Sequence, residues 1–469
     1  VADYIINYLA DYGIKDVFVV YGAANGDLID AFTRNDKIRY VATMHEQGGG
    51  FAAEGYSKVN NGLGVAMATS GPGGMNFVTP IGNCFYDSVP CLFITGQINS
   101  NYMRPHESIR QIGFQETDIV SIVKPITKYA SMVGKAADIK YNLEKAIHEA
   151  TTGRPGPTLL DIPINIQKQD IDETTLISYD ETVNLSYNEE LINLQIDKYL
   201  DDLKNSERPC LMIGGGVRLS GAVDELLELG KELKIPMFPT WNALDIVCDD
   251  YEYYGGNIGT YGGKGRNFGI QNSDLLLAIG SRIPGRITGG NIHSFARRAK
   301  KYMVDVDIAG LQKKLQQVPF DECIYSDAKL FINLLIEKLK SEDLPDFSWW
   351  VDRVKGWRDK YDPVTKDMFK PTKYVHPYAF TRILSQEMTE NDIFCGDCGG
   401  NIVVTNHAFE TKTGQRYFTN NGNSPMGFSF AGAMGAWFAN PDRQVVCTIG
   451  DGGFNMNLQE LQTLKNYNV

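Results

Sequence analysis

Short apolar runs rich in β-branched residues alternate along this chain with longer segments of helical period. In the first third, residues 16–21, 38–43, 64–69, 90–95 and 158–162 read as strands, with helical patterns such as 46–60 between them. Strands that are apolar on both faces belong to parallel sheets covered by helices on either side. A polar, acidic stretch at 167–190 reads as a linker. The alternation restarts at 210–213, 236–239, 275–279 and 302–306. After a Trp- and Lys-rich connector at 348–373, a third set begins near His376 with 392–394, 416–419 and 445–449, and stops before a sheet is complete. No short-period repeat is present. The pattern predicts an α/β chain of three tandem doubly wound domains with parallel sheets, at 1–167, 191–340 and an incomplete 374–469. A length of 469 residues suits three domains of roughly 150 residues each.

Hydrophobic residues make up 43% of the chain, enough for a core in each domain, and no apolar run reaches the ~18 residues of a membrane span. Lys and Arg total 45 against 57 Asp and Glu, a net charge of −12. That balance argues against nucleic acid as a partner while leaving room for a local basic pocket. No secretory leader is visible, and the chain opens on Val1 rather than Met, so a few residues are expected to precede it. Eight cysteines scattered through apolar segments fit reduced, buried thiols in a cytoplasmic protein. Cys395 and Cys398 form C-x-x-C without the context of a redox pair or the second pair of a zinc site. They read as small residues near a strand end.

Candidate chemistry gathers where strands end. In residues 445–461 an apolar strand closes on Gly450-Asp451-Gly452-Gly453 and an amphipathic helix follows. A carboxylate among flexible backbone N–H groups at such a turn suits a diphosphate and its Mg²⁺. In residues 44–56, Glu46 stands at a strand-to-helix junction and is followed by Gly48, Gly49, Gly50, Ala52 and Ala53. It reads as a dipole-stabilising cap or as a buried acid of raised pKa that exchanges a proton with a bound heterocycle. The glycine-rich face would let another backbone or a flat ligand approach closely. Ser70-Gly71-Pro72-Gly73 suits phosphate binding or a tight subunit-interface turn. Gly214-Gly215-Gly216 after a later strand is an imperfect dinucleotide loop.

Taken in order, these segments resemble the thiamine-diphosphate-dependent enzymes of the acetolactate synthase and pyruvate oxidase group, over the whole chain. His45-Glu46-Gln47 with Ala53-Glu54-Gly55-Tyr56 resembles the family's pyrimidine-domain motif. Thr69-Ser70-Gly71-Pro72-Gly73 with Asn76, Ile94-Thr95-Gly96-Gln97, Gly113-Phe114-Gln115-Glu116, Thr152-Gly153-Arg154-Pro155-Gly156-Pro157 and Asp161-Ile162-Pro163 follow in the family's order. Asn423-Ser424-Pro425-Met426-Gly427 and Gly450-Asp451-Gly452 resemble the pyrophosphate-domain motifs. The resemblance implies a pyrimidine-binding, a central flavin or Rossmann-like and a pyrophosphate-binding domain. It implies that Glu46 hydrogen-bonds the aminopyrimidine ring and promotes loss of the thiazolium C2 proton. Met426 would be the apolar wedge beneath the cofactor, and Asp451 the Mg²⁺ ligand, with Gly452 and Gly453 donating N–H groups. A second metal-binding side chain, an Asn, would follow Val469. Gly22, Ala23, Gly400, Asn401, Ser424 and Gly450 match other thiamine-diphosphate contacts. Phe114, Gln115 and Lys128 match the substrate side. Active sites shared between subunits, in a homodimer or homotetramer, are implied as well.

The middle segment resembles the flavin-binding domain of acetolactate synthases, through the loop at 214–216 and the run Gly280-Ser281-Arg282-Ile283-Pro284-Gly285-Arg286-Ile287-Thr288-Gly289. Arg282 and Arg286 are therefore FAD candidates, and Arg286 matches an arginine that receives the acceptor's carboxylate. The pattern departs at Pro284-Gly285, Gly256-Asn257-Ile258-Gly259, Gly399-Gly400-Asn401-Ile402 and Asn25, where the family carries other residues. A polar Asn25 in place of a small apolar group near the cofactor would alter acceptor choice. The expected function is a carboligase that decarboxylates a 2-keto acid, with pyruvate as donor, and transfers the two-carbon unit to a carbonyl acceptor. The departures suggest an acceptor other than a second pyruvate, with a keto-sugar nucleotide as the suggested class. A simple decarboxylase, an oxidase and a catalytically silent paralogue are the alternatives.

Overall fold

A computed structural model describes residues 1–180 and 186–469 of the chain. Two compact units emerge. The first comprises Val1–Asn184, Ile393–Cys398 and Thr419–Val469, and the second Leu185–Asp392 and Gly399–Phe418.

Six parallel strands form the sheet of the first unit: β1 (Asp16–Val19), β2 (Arg39–Ala42), β3 (Gly64–Ala68), β4 (Cys91–Gln97), β5 (Tyr129–Met132) and β6 (Pro157–Pro163). Their order is β2-β1-β3-β4-β6-β5. The central strands β3, β4 and β6 are buried along their whole length, as their unbroken apolar runs require. Val17, Val65, Leu92, Ile94 and Leu160 pack on one side against Ile5, Leu9, Leu143 and Ile147 of the covering helices. Ala66, Phe93 and Leu159 face Phe77, Ile81 and the helix Glu46–Asn60 on the other. The sequence pattern missed β5. It is an edge strand, Tyr-Ala-Ser-Met, partly exposed along its length, so it lacks the apolar run that marks its neighbours.

In the second unit, β7 (Pro209–Ile213), β8 (Met237–Pro239), β9 (Leu275–Ile279), β10 (Lys300–Asp305) and β11 (Glu322–Tyr325) form a parallel sheet ordered β11-β10-β9-β7-β8. Again the unpredicted strand, β11, is a half-buried edge. The stretch at 348–373 is more than a connector. Ser348–Lys360 is a helix whose Trp350, Val354 and Trp357 recur at helical spacing, and Trp350 and Val354 are buried. Helix Lys264–Asn272 crosses it so closely that a Cβ on Gly265 would lie 2.2 Å from the Trp357 carbonyl oxygen. The predicted linker at 167–190 contains a 3₁₀ turn at Glu173–Thr175, and its residues 181–185 lie outside the described residues.

In the remainder, β12 (Ile393–Gly396) belongs to the first unit and β13 (Arg416–Phe418) to the second, while β14 (Val445–Thr448) pairs in parallel with β12, Cys395 opposite Cys447. The expected class, α/β with parallel sheets, is the one the chain adopts. Among the described residues no helix is long and apolar enough to cross a membrane. All eight cysteines are free, Cys395 and Cys398 included.

Candidate active site

The carboxyl ends of β1, β2 and β3 converge on one group of loops, the usual place for a ligand in an open parallel sheet. From β2 the chain passes through Met44 and His45 into the helix Glu46–Asn60. His45 caps that helix, its Nδ1 accepting the Gln47 N–H at 3.1 Å. Glu46, the first helical residue, is half-buried. Its Oε2 accepts from the Asn76 amide at 2.9 Å. A Cβ on Gly73 would stand 3.3 Å from its Oε1. Gly71 turns the chain after β3 with a φ of +62°, and a Cβ there would meet the Gln115 carbonyl oxygen at 3.0 Å. Glu46, Gly71, Gly73, Asn76 and Gln115 thus share one neighbourhood. Phe114 stands out from it, 85% exposed.

Asn25 lies in the loop that follows β1, fully buried. Its Oδ1 accepts the Gly22 N–H at 2.8 Å and its Nδ2 donates to the Val20 carbonyl at 3.0 Å. Both polar ends therefore close their own loop rather than facing outward. A Cβ on Gly22 would fall 2.4 Å from the Thr69 Cβ, so this loop lies directly on the end of β3. Ala23 is exposed beside it. Lys128 is elsewhere. It precedes β5 at the amino end of the sheet, and its Nζ donates to the Thr152 carbonyl at 2.6 Å. Burial holds this ammonium below its ordinary value, with Glu149 opposing. Within one chain, Lys128 does not join Glu46.

The glycine-rich face of the Glu46 helix meets protein. Added Cβ atoms would lie 2.5 Å from Glu460 Oε1 at Gly48, 2.5 Å from Pro80 at Gly50 and 2.0 Å from the Gly432 carbonyl oxygen at Gly55. Gly435 of the crossing helix Phe428–Ala439 is equally close, 1.9 Å from the Ala52 carbonyl oxygen. Gly55 thus receives another backbone, while Gly48 and Gly50 make room for side chains.

A second group surrounds the end of β14. Gly450 caps the helix Asp451–Asn457, and Asp451 is exposed, its Oδ1 accepting only the Gly452 N–H, at 2.9 Å. Met426 is 45% exposed, and its methyl lies 2.8 Å from the position a Cβ on Gly452 would take. Beneath them is a carboxylate that the sequence did not single out. Asp397 follows β12, is buried, and accepts the Gly427 and Ser429 N–H groups at 3.2 and 3.1 Å. Burial raises its pKa against those donors. A Cβ on Gly453 would sit 2.3 Å from its Oδ2, so Asp397 locks the Met426 turn to the Asp451 turn.

The approach to Met426 is fixed from the Glu46 helix. Lys58 Nζ lies 2.8 Å from Glu54 Oε1 and 3.3 Å from Asp87 Oδ2, all three side chains buried. Burial alone would lower the Lys58 ammonium, but the two carboxylates outweigh it and hold it raised. Asn420 donates to Glu54 at 2.8 Å, and Asn421 and Gly422 N–H groups donate to Asp87 at 2.9 and 2.8 Å. Asn420 Oδ1 then accepts the Ser424 N–H at 2.8 Å, holding Ser424 at a φ of +52°. No described hydrogen bond or ion pair joins Glu46 to Met426 or Asp451. Among the described residues no cluster of three or more His, Cys, Asp or Glu could hold a metal ion.

In the second unit, Gly214, Gly215 and Gly216 follow β7. A Cβ on Gly214 would lie 2.0 Å from the Gly280 carbonyl oxygen, so the smallness of this loop serves contact with the turn after β9. Arg286 is exposed, donating to the Tyr261 hydroxyl at 2.7 Å, and Tyr261 stacks on Trp241 with ring centroids 5.0 Å apart. Arg282 is exposed nearby in sequence, and nothing lies within 4 Å of a Cβ on Gly285, Gly289 or Gly290. Gly400 and Asn401 open the helix Gly400–Ala408 behind Gly399, at a φ of +67°. A cavity of about 410 Å³ lined by Arg208, Arg297, Arg298, Arg353 and Trp349 opens at the amino ends of this sheet, away from the glycine loops.

Three family profiles match the chain: the N-terminal TPP binding domain of thiamine pyrophosphate enzymes at residues 1–122, their central domain at 196–335 and their C-terminal TPP binding domain at 397–469. A "Probable acetolactate synthase large subunit" of Methanococcus aeolicus is 34% identical over 97% of this chain and 77% of its own length. The acetolactate synthase large subunit of Corynebacterium glutamicum is 34% identical over 98% of this chain and 72% of its own. The chloroplastic acetolactate synthase of Arabidopsis thaliana is 33% identical over 100% and 68%. Similarity of this extent, with three family profiles matched in order along the chain, settles the relationship: the chain belongs to the thiamine pyrophosphate enzymes, in the acetolactate synthase family.

Proposed function

We propose that the chain is a thiamine-diphosphate-dependent carboligase of the cytoplasm that decarboxylates pyruvate and transfers the remaining two-carbon unit to a carbonyl acceptor. The observation that carries this reading is Glu46, a half-buried carboxylate at the head of a helix, aimed by the Asn76 amide and open on one side. The residues around β14 fit the cofactor. Met426 offers a half-exposed side chain beside Gly452, and Asp451 offers hard oxygen ligands with no basic partner among the described residues. On this reading Asp451 would hold Mg²⁺ for the diphosphate. The Gly450–Gly453 backbone and Ser424 would receive its oxygens, and Gly22, Ala23, Gly400 and Asn401 remain proposed contacts on their motif match alone. The chemistry that bound thiamine diphosphate supplies is a carbon nucleophile and an electron sink.

Glu46 would exchange a proton with the aminopyrimidine ring of the bound cofactor. The bond to the keto acid's carboxylate breaks and carbon dioxide leaves. The remaining carbon then bonds to the acceptor's carbonyl carbon, whose oxygen takes a proton. Gln115, on the Gly71 turn, and Phe114 face the substrate side. Lys128 reaches a site only across a subunit boundary. The lack of a described bond between Glu46 and the Met426–Asp451 group supports sites completed by a second copy, in a dimer or tetramer. Asn25 acts through the loop it closes. A polar, sugar-nucleotide-like acceptor therefore rests on Arg286, exposed beside open glycine backbone, and the same region with Arg282 and Gly214–Gly216 is where FAD would lie.

The test uses full-length protein with thiamine diphosphate, Mg²⁺, FAD and pyruvate. Carbon dioxide release with a new C–C bond to added acceptor is expected. No carbon dioxide release with any acceptor overturns the reading. Acetaldehyde as sole product would indicate a decarboxylase instead, and flavin reduction by pyruvate an oxidase.

A further inference from the structure

Helix Glu460–Tyr467 holds three backbone N–H groups of the segment leading into Glu46. The Tyr467 hydroxyl accepts the Ala42 N–H at 2.7 Å. Glu460, fully buried, accepts the Met44 N–H through Oε2 at 3.1 Å and the His45 N–H through Oε1 at 3.0 Å. Thr463 donates its hydroxyl to the same Oε2 at 2.7 Å. The remaining N–H of the segment, Thr43, is bonded to Val19 in the sheet. Room for the carboxylate exists because Gly48 has no side chain: a Cβ there would fall 2.5 Å from Oε1.

A buried carboxylate is costly, and a pair of consecutive N–H groups with a hydroxyl is what offsets that cost. Such a group fixes direction, because moving the N–H donors leaves a buried charge unsatisfied. The next residue after those donors is Glu46. Its side chain is aimed by Asn76, but its backbone is aimed by Glu460. The Glu460 helix follows the Asp451–Asn457 helix after two residues, and Asn457 in turn donates to the Gly427 carbonyl at 3.1 Å.

We infer that Glu460 is a positioning residue: it sets the placement of Glu46, and does so from the segment that carries Asp451 and steadies Met426. This rests on the role proposed for Glu46. One chain's acid and its diphosphate turn are then mechanically joined even where they serve different sites.

Glu460→Gln keeps the shape but turns an amide N–H₂ toward one of the two backbone donors. In cofactor-free full-length protein, amide hydrogen exchange at Met44–Glu46 is expected to rise roughly tenfold or more, with residues 51–58 of the same helix unchanged. In the loaded enzyme, kcat should fall roughly 10- to 100-fold, with KM for pyruvate and the Kd for thiamine diphosphate within about threefold, as expected for a misplaced acid. Thr463→Val, which retains the carboxylate and removes only its hydroxyl donor, should shift both readouts the same way by a few-fold and serves if the first variant does not fold. Unchanged exchange at 44–46, or a rise spread evenly over the helix, overturns the inference. The exchange result stands apart from catalysis. A wild-type protein without carboligase activity would overturn the proposed function and leave the Glu460 contact as measured.

Discussion

Glu46 and Asp161 show what one carboxylate's surroundings decide. Glu46 keeps an open side and one amide partner, so Glu46→Gln should leave the fold intact while removing the proton it exchanges. Carbon dioxide release from pyruvate should fall at least about 100-fold, with the melting temperature little changed. Asp161, on β6, is buried, accepting from Thr95 at 2.7 Å and Gln97 at 2.8 Å. Burial pushes it up to about 7 despite those donors, with Asp118 adding to the rise. The folded protein therefore retains a proton that the unfolded chain releases at its ordinary value of 3.8. Its stability contribution is full below that value and is lost as pH rises towards about 7. Asp161→Asn removes this titration, so the fall in melting temperature between about pH 5 and 8 should become shallower than in the wild type. An unchanged slope would refute the assignment. Glu46 and Asp451 are candidates that a local pattern singles out, each following a strand end, and Met426 is one that the family resemblance supplies. Asp397 and Glu460 were not legible in the sequence, since each acts on partners distant along the chain: Glu460 binds N–H groups 415 and 416 residues away.

At the scale of elements, the tightest contact is the crossing of helices Glu46–Asn60 and Phe428–Ala439. Gly55 and Gly435 bring the two backbones together, each leaving no room for a methyl group. Gly55→Ala should cost about 3 kcal/mol or more, measured by denaturant unfolding, because the obstructing atom is a backbone carbonyl rather than a movable side chain. Gly356→Ala, on a helix position with nothing within 4 Å, should change stability far less. The central strands could be read from their apolar runs. Of the edge strands, β2 and β8 were read, whereas β5 and β11 were not: both are only partly buried, and Ser131 and Glu322 interrupt their apolar pattern. The tryptophan-rich helix Ser348–Lys360 was hidden for a related reason. Its lysines and arginines lower the average hydropathy, while the buried stripe of Trp350 and Val354 is set by helical period.

For the whole molecule, the proposal of sites shared between copies makes a prediction about assembly. If each site takes its acid from one copy and its metal ligand from another, Glu46→Gln and Asp451→Asn are each inactive alone. After subunit exchange, mixed dimers then contain one intact site, restoring about a quarter of wild-type activity at equal mixing. No recovery after verified exchange would place both residues in one copy's site. The sequence by itself determined the α/β class, because apolar period is a local property of the chain, and its motifs in order carried the resemblance to the thiamine pyrophosphate family; the candidate residues at strand ends came from the same local turns. Tertiary structure decided what those residues touch. It showed that the glycine face of the Glu46 helix packs on protein, side chains at Gly48 and Gly50 and a backbone at Gly55, that Asn25 closes its own loop, and that Lys128 lies at the far end of its sheet. It also brought Asp397 and Glu460, unremarkable in sequence, beneath the turns they steady. Burial and hydrogen bonding over long separations follow from how helices and sheets pack, and no local pattern encodes them.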